Sequence, residues 1–244
     1  MNLPIERHYI PRGRANRPAK SNPCLYITLH NTGNARAGAD ARSHAAYLKT
    51  EAAARIPVSW HYTVDDGCLV QHLPDRETAY HAGDGDGRGN CASIGIEICE
   101  QAGIDLPRAT DLAAQLTARL CERYGIPMAH VVQHHHWSGK DCPRLLRAGT
   151  PYDWAAFLSA VERHARAGDP SPWADQAWRW AVDKGITDGS APQDPCTREM
   201  AVTLLHRAAG CIQKELQKEL QNGIQSGIQK ELQKELRREL RKGG

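Results

Sequence analysis

No apolar run in the 244-residue sequence approaches the roughly 18 residues that a membrane-spanning helix requires. No Cys-x-x-Cys pair occurs among its eight cysteines, and the opening MNLPIERHYIPRGR lacks the apolar segment of a secretory leader. The first absence excludes a helical span. The other two point to synthesis in a reducing cytosol, with thiols rather than a disulfide framework. A strong net charge is also missing, since the formal balance is only +3, but the charge is unevenly placed. Residues 1–20 carry five basic and one acidic side chain, residues 211–244 eight and five, and the stretch between them 18 and 22. An acidic middle argues against a nucleic-acid groove in the folded body and leaves two basic ends able to touch an anionic polymer or lipid. With 41% hydrophobic and 24% charged residues the chain can bury a real core. The surplus is in metal-ligating types: twelve histidines stand beside the eight cysteines, without a spacing that by itself locates a site.

From Asn22 to Arg166, β-branched runs alternate with Ala-rich runs, which predicts an α/β domain with a central mixed sheet flanked by helices. Residues 1–21 read as a basic extension before it. CLYITLH, Cys24 to His30, places Leu25, Ile27 and Leu29 on one face and Tyr26, Thr28 and His30 on the other. A second alternation, Ser93 to Cys99, sets Ile94, Ile96 and Ile98 against Gly95, Glu97 and Cys99. Between them, Trp60–Val64 and Cys68–Leu73 flank the turn residues Asp65, Asp66 and Gly67, a hairpin pattern. Helices are predicted over Asp40–Ala54, Thr110–Tyr124 and Tyr152–Arg166, the second stopped by Gly125 and Pro127. Residues 167–172 read as a linker, 173–210 as a small all-α module of two short helices, and 211–244 as a helical tail. The tail repeats KELQKEL, with apolar residues every four positions from Ile212 to Leu240. That period overshoots the 3.6-residue turn, so the stripe winds around the helix instead of forming a heptad seam.

The densest chemical signal is VVQHHHWSGKDCP, Val131 to Pro143. Imidazole and thiolate are good zinc ligands, and His134 and Cys142 lie far enough apart for a loop to fold both onto one ion. His30, at the end of its strand, is the attractive third donor. On the bare residues, a zinc site and a solvated histidine turn beside a buried thiol are equally open readings. The loop GDGDGRGN, Gly83 to Asn90, fails the EF-hand spacing, because its fifth ligand position is Arg88 and its twelfth Gly95; it reads as a flexible cleft wall.

In this order, ITLHNTGNA, SWHYTVDDG, QHLPDRETAYHAGDG, SIGIEICE and HHHWSGKDCPRLL resemble the zinc-dependent N-acetylmuramoyl-L-alanine amidases of the type-2 amidase superfamily, in the bacillary autolysin and phage endolysin branch. The resemblance covers about residues 22–150. It implies one catalytic Zn²⁺ held by His30, His134 and Cys142, with His134 selected over His135 and His136. It further implies Glu97 as the catalytic carboxylate and Lys140 as the stabiliser of the oxyanion. Trp60, His61 and His81 are implied to line a substrate cleft. Where a viral member of the superfamily has a tyrosine, this chain has Trp60, so a phenolic role there is absent and more of the proton work falls on Glu97. The implied reaction cuts the amide between the lactyl group of N-acetylmuramic acid and the L-alanine of the peptidoglycan stem peptide. The implied setting is an endolysin made in a host cytoplasm without a signal peptide and acting on the wall after release. Two rival readings are a non-catalytic peptidoglycan-binding module and a zinc peptidase cutting within the stem peptide.

WADQAWRWAVDKGITDG followed by TREMAVTLLHRA resembles a single S-layer homology motif. That resemblance implies binding of an anionic secondary cell-wall polymer, with Arg198 facing it. The alternative is a packing module without a ligand. For the tail, self-association and electrostatic attachment to the wall are both open.

Overall fold

The computed structural model describes residues 4–166, 173–188, 192 and 196–242; the linker read at 167–172 lies outside them. The chain divides into two units at Arg166.

The first unit is built on six strands: β1 Ile5–Arg7, β2 Tyr26–Asn31, β3 Tyr62–Val64, β4 Leu69–Gln71, β5 Ser93–Ile98 and β6 Val131–Gln133. Their order is β1-β4-β3-β5-β2-β6, parallel at every pairing except the β3–β4 hairpin. The expected mixed sheet is present. So is the hairpin, whose turn is pinned by Asp65 accepting from the Gly67 amide at 2.8 Å. Helices α1 Ala41–Leu48, α2 Arg88–Cys91, α3 Leu106–Tyr124, α4 His135–Ser138, α5 Arg144–Arg147 and α6 Trp154–Arg166 complete the unit.

One face of the sheet carries the main apolar core. Ile27 and Leu29 of β2 and Ile94, Ile96 and Ile98 of β5 are fully buried with Leu116 and Leu120 of α3 and with Phe157 and Val161 of α6. Burying a side chain of this size contributes about 1.5–3 kcal/mol. Leu25 departs from the alternation: it precedes β2 and is half exposed. The opposite face of the same strands bears Thr28, His30, Ser93, Gly95 and Glu97. It too is covered, so a polar set is buried there.

Three boundaries differ from the sequence reading. The helix expected over Asp40–Ala54 stops at Leu48 and is followed by a separate 3-10 turn at Ala53–Arg55; Asp40 caps its start by accepting from the Ser43 amide at 2.7 Å. Helix α3 starts at Leu106, four residues early, because Asp105 caps it and Pro107 fits its first turn. The basic segment 1–21 is part of the domain rather than an extension. Its β1 forms the sheet edge beside β4, Ile10 is fully buried, and Arg17 makes a two-point ion pair with Glu77 at 2.8 Å.

The second unit contains α7 Asp175–Asp183 and α8 Arg198–Lys242. Gly185 takes a left-handed backbone after α7, and the following turn is held to α8 by Arg207 donating to the Ile186 carbonyl and by a Lys184–Glu215 ion pair. The boundary read at 210/211 is absent. Helix α8 runs through it for 45 residues, so the second helix of the module and the tail are one rod about 67 Å long. Along it Ile212, Leu216, Leu220, Ile224, Ile228 and Leu232 are exposed. No helix among the described residues is long and apolar enough to cross a membrane.

Candidate active site

Three parallel strands deliver the site at their carboxyl ends, where open α/β sheets place ligands. His30 is the penultimate residue of β2 and is in register with Glu97 of β5, so both side chains rise from the same face. His134 follows β6 directly, with its amide donating to the Leu29 carbonyl at 3.2 Å. The loop after it folds back: the His135 amide donates to the Cys142 carbonyl at 3.0 Å, which returns Cys142 to the side of His134. Asn31, the last residue of β2, then holds the start of α5 by accepting from the Leu145 amide at 3.0 Å.

The result is a buried trio. Nδ1 of His30 and Nδ1 of His134 face each other at 3.0 Å, and the Cys142 sulfur is 3.7 Å from the His30 nitrogen. All three donor atoms lie within 4.8 Å of one another. Tetrahedral zinc with nitrogen and sulfur ligands has edges of about 3.3 Å and about 3.6 Å, so the spacing fits a shared ion. The donor chemistry fits as well. Burial holds His30 and His134 below the ordinary histidine range, leaving neutral rings with a lone pair each, and pushes the Cys142 thiol up to about 12. A metal ion bound there would reverse that last preference by favouring the thiolate.

Glu97 stands beside the trio. One carboxylate oxygen is 3.9 Å from His30 Nδ1, and the other is buried without a hydrogen-bond partner. Burial raises its carboxyl to about 8, against the pull of the Lys140 ammonium. An orphaned acceptor on a group of raised pKa is a pattern found where a carboxyl exchanges protons with a ligand. Glu97, Lys140, His30 and His134 open together onto a cleft of about 740 Å³.

The remaining sequence-derived candidates separate. Trp60 lines the cleft, with its indole N–H donating to Thr63 Oγ1 at 2.7 Å. His61 does not line it. It is fully buried, with Nδ1 accepting from the Gly95 amide at 3.0 Å and Nε2 on the Glu77 carbonyl at 2.8 Å, so it is a structural link between β5 and the 74–78 turn. His81 reaches the cleft floor, but both of its nitrogens are occupied, at 3.0 Å by His30 Nε2 and at 3.4 Å by Ser93 Oγ. It therefore offers no free polar atom to a substrate. Arg198 begins α8 in the second unit and is exposed.

Sequence reading missed part of the cleft wall, namely Pro57, Val58, Tyr80 and Ser138. Nothing in a single sequence marks such residues, because they come from separate segments joined only by the fold. The Gly83–Asn90 loop does line the cleft, yet it is tied down: Asp84 accepts from the amides of Gly89 and Asn90, and Asn90 Oδ1 accepts from those of His81 and Ala82, both at 2.7 Å.

Comparison with known proteins then decides the family. Residues 20–145 match the family described as N-acetylmuramoyl-L-alanine amidase, just over half of the chain. The chain belongs to the N-acetylmuramoyl-L-alanine amidase family. Relatives include the N-acetylmuramoyl-L-alanine amidase XlyA of Bacillus subtilis (strain 168), 51% identical over 157 residues, which are 64% of this chain and 50% of that protein. The amidase CwlH of the same strain is 45% identical over 83% of this chain and 78% of its own length. The aligned part thus spans only half of the first relative and most of the second. Among solved structures, the catalytic domain of XlyA superposes with a TM-score of 0.61 at 47% identity, covering 65% of this chain and 99% of that domain. PlyL superposes at 0.58 and 32% identity, over 65% of this chain and 97% of its own. These likenesses account for the amidase fold of the first unit. Helix α6 and strand β1 lie outside the family match but inside the folded unit.

Proposed function

We propose that this amidase-family chain is a peptidoglycan hydrolase that cuts the amide between the lactyl group of N-acetylmuramic acid and the L-alanine of the stem peptide, as a phage-type lysin. The observation that carries the reading is the convergence of His30, His134 and Cys142 with the unpartnered oxygen of Glu97 on one cleft. His30, His134 and Cys142 are the residues that would hold a Zn²⁺. When bound, that ion supplies Lewis acidity and an acidified water at neutral pH.

The chain's own residues supply the rest. Glu97 Oε2 has no competing hydrogen bond, so it is free to take the proton of the attacking water and return it to the departing L-alanine nitrogen. Its carboxyl is tuned by neighbouring charge: burial favours the protonated form, and positive charge at the ligand trio or on Lys140 favours the carboxylate. Lys140 lines the same cleft and would stabilise negative charge developing on the carbonyl oxygen. Trp60 and the 83–90 loop wall the cleft, restricting water and orienting the bond to be cut.

Wall attachment falls to the second unit. The exposed Arg198 and the basic excess of residues 211–244 support contact with an anionic wall polymer, and the exposed ladder Ile212–Leu232 supports association of tails between copies. Sedimentation of the full chain at rising concentration tests the latter; a monomer throughout contradicts it. Residue roles in the first unit are tested by Glu97→Ala. That variant should retain one zinc per chain and lose turnover by about 10²–10⁴-fold, and near-normal turnover would remove Glu97 from the mechanism.

A further inference from the structure

His81 is a further buried histidine, in contact with His30 of the ligand trio, and the hydrogen bonds beyond it order the proton positions on these two rings. The chain of bonds starts at groups whose roles are unambiguous. Trp137 Nε1, a donor only, reaches Thr28 Oγ1 at 2.9 Å. The Thr28 hydroxyl is 2.8 Å from Ser93 Oγ, and Ser93 Oγ is 2.6 Å from the Gly89 carbonyl, an acceptor only. The Ser93 proton therefore goes to Gly89, and the Thr28 proton goes to Ser93. Ser93 Oγ is left able only to accept, so the 3.4 Å contact with His81 Nε2 requires the His81 proton to be on Nε2. A neutral His81 then presents a bare Nδ1, which at 3.0 Å can only accept from Nε2–H of His30. His30, neutral in turn, must carry its lone pair on Nδ1, the atom that faces His134 and Cys142.

We infer that His81 is a positioning residue, which fixes the tautomer and ring orientation of His30 so that Nδ1 is the metal-facing nitrogen. The ring of His81 is itself held in place. It lies against the Cα of Gly95, where a β-carbon would stand 2.8 Å from the imidazole, and its backbone amide is anchored on Asn90 Oδ1 at 2.7 Å. Gly95 is thus required by close approach of the ring rather than by backbone conformation. Outer hydrogen bonds of this kind typically change metal affinity 10–100-fold when removed. The inference rests on the zinc reading only for its consequence, because the tautomer is fixed whether or not an ion is present.

The test uses the full chain. Histidine ¹⁵N–¹H spectra of the metal-free protein should show His30 protonated on Nε2 and His81 on Nε2; a His30 proton on Nδ1 overturns the inference, independently of whether zinc binds. For the zinc-loaded protein, His81→Phe keeps ring volume and removes the acceptor. It should weaken zinc about 10–100-fold in competition with a chromogenic chelator and alter the visible spectrum of the Co²⁺ form. His81→Asn, whose Oδ1 replaces the accepting nitrogen, should recover part of that loss. Zinc affinity and Co²⁺ spectrum unchanged in His81→Phe overturn the positioning role. Should His81→Phe fail to fold, the tautomer measurement on the unaltered chain decides. Failure of the unaltered chain to bind zinc overturns the zinc reading instead.

Discussion

Cys142 and His72 show how burial sets different tasks for titratable side chains. The Cys142 thiol faces the His30 and His134 imidazoles, and the Lys140 charge only partly offsets its burial, so an ion among them would be the natural partner for its thiolate. Cys142→Ala should therefore lose bound zinc and lytic activity together, and zinc retained at one per chain, measured by elemental analysis, contradicts the assignment. His72 is buried for packing. Its Nε2 sits 2.7 Å from the Thr63 hydroxyl, its Nδ1 has no partner, and burial lowers its pKa from 6.5 to about 3. The unfolded chain takes up this proton below pH 6.5 and the folded chain does not, so the stability present above that pH is lost as pH falls toward 3. Melting temperature should drop between about pH 6.5 and about pH 4.5, and the slope should be shallower in His72→Asn; parallel slopes remove His72 as a cause. The trio and Glu97 were legible in the sequence because each stands in a motif with fixed neighbours. His61 and His81 stand in equally recognisable motifs. Their roles were not legible, because a motif shows that a histidine is present and not which of its nitrogens is already bonded.

Elements were legible where pattern and cap agreed. Strands β2 and β5 alternate cleanly, and α3 ends at the left-handed Gly125 as its sequence requires. Strand β1 was not legible: Ile5–Arg7 is too short and too charged to register as a strand, and only pairing with β4 makes it one. Helix α1 was overextended because alanine-rich Glu51–Arg55 suits a helix, whereas Lys49 and Thr50 instead close the turn back onto Ala46 and Tyr47. The sharpest energetic test at this scale is α6, which lies beyond the family match. Phe157 is fully buried and stacks on Trp154 at 5.3 Å between ring centres. Phe157→Ala should cost about 3–5 kcal/mol in urea unfolding, and a loss under about 1 kcal/mol contradicts the view that α6 belongs to the catalytic fold.

At the scale of the molecule, charge and length now have separate owners. The amidase-family unit, residues 1–166, is near charge balance with 19 basic and 17 acidic side chains, while the basic end is α8, a single 45-residue rod. The continuity of α8 was hidden by Gly210, which lowers helix propensity without breaking a helix. A chain truncated after Arg166 should hydrolyse soluble muropeptides at close to the full-length rate and bind whole walls more weakly. Unchanged binding in a wall pull-down assigns the second unit no part in attachment. The central claim, a zinc-site hydrolase that opens the lactyl-alanine bond, is tested most directly by mass spectrometry of peptidoglycan digested with the full chain. The account predicts stem peptides with a free L-alanine amino terminus and glycan strands left intact. A cut inside the stem peptide, or no product at all from the zinc-loaded protein, contradicts it.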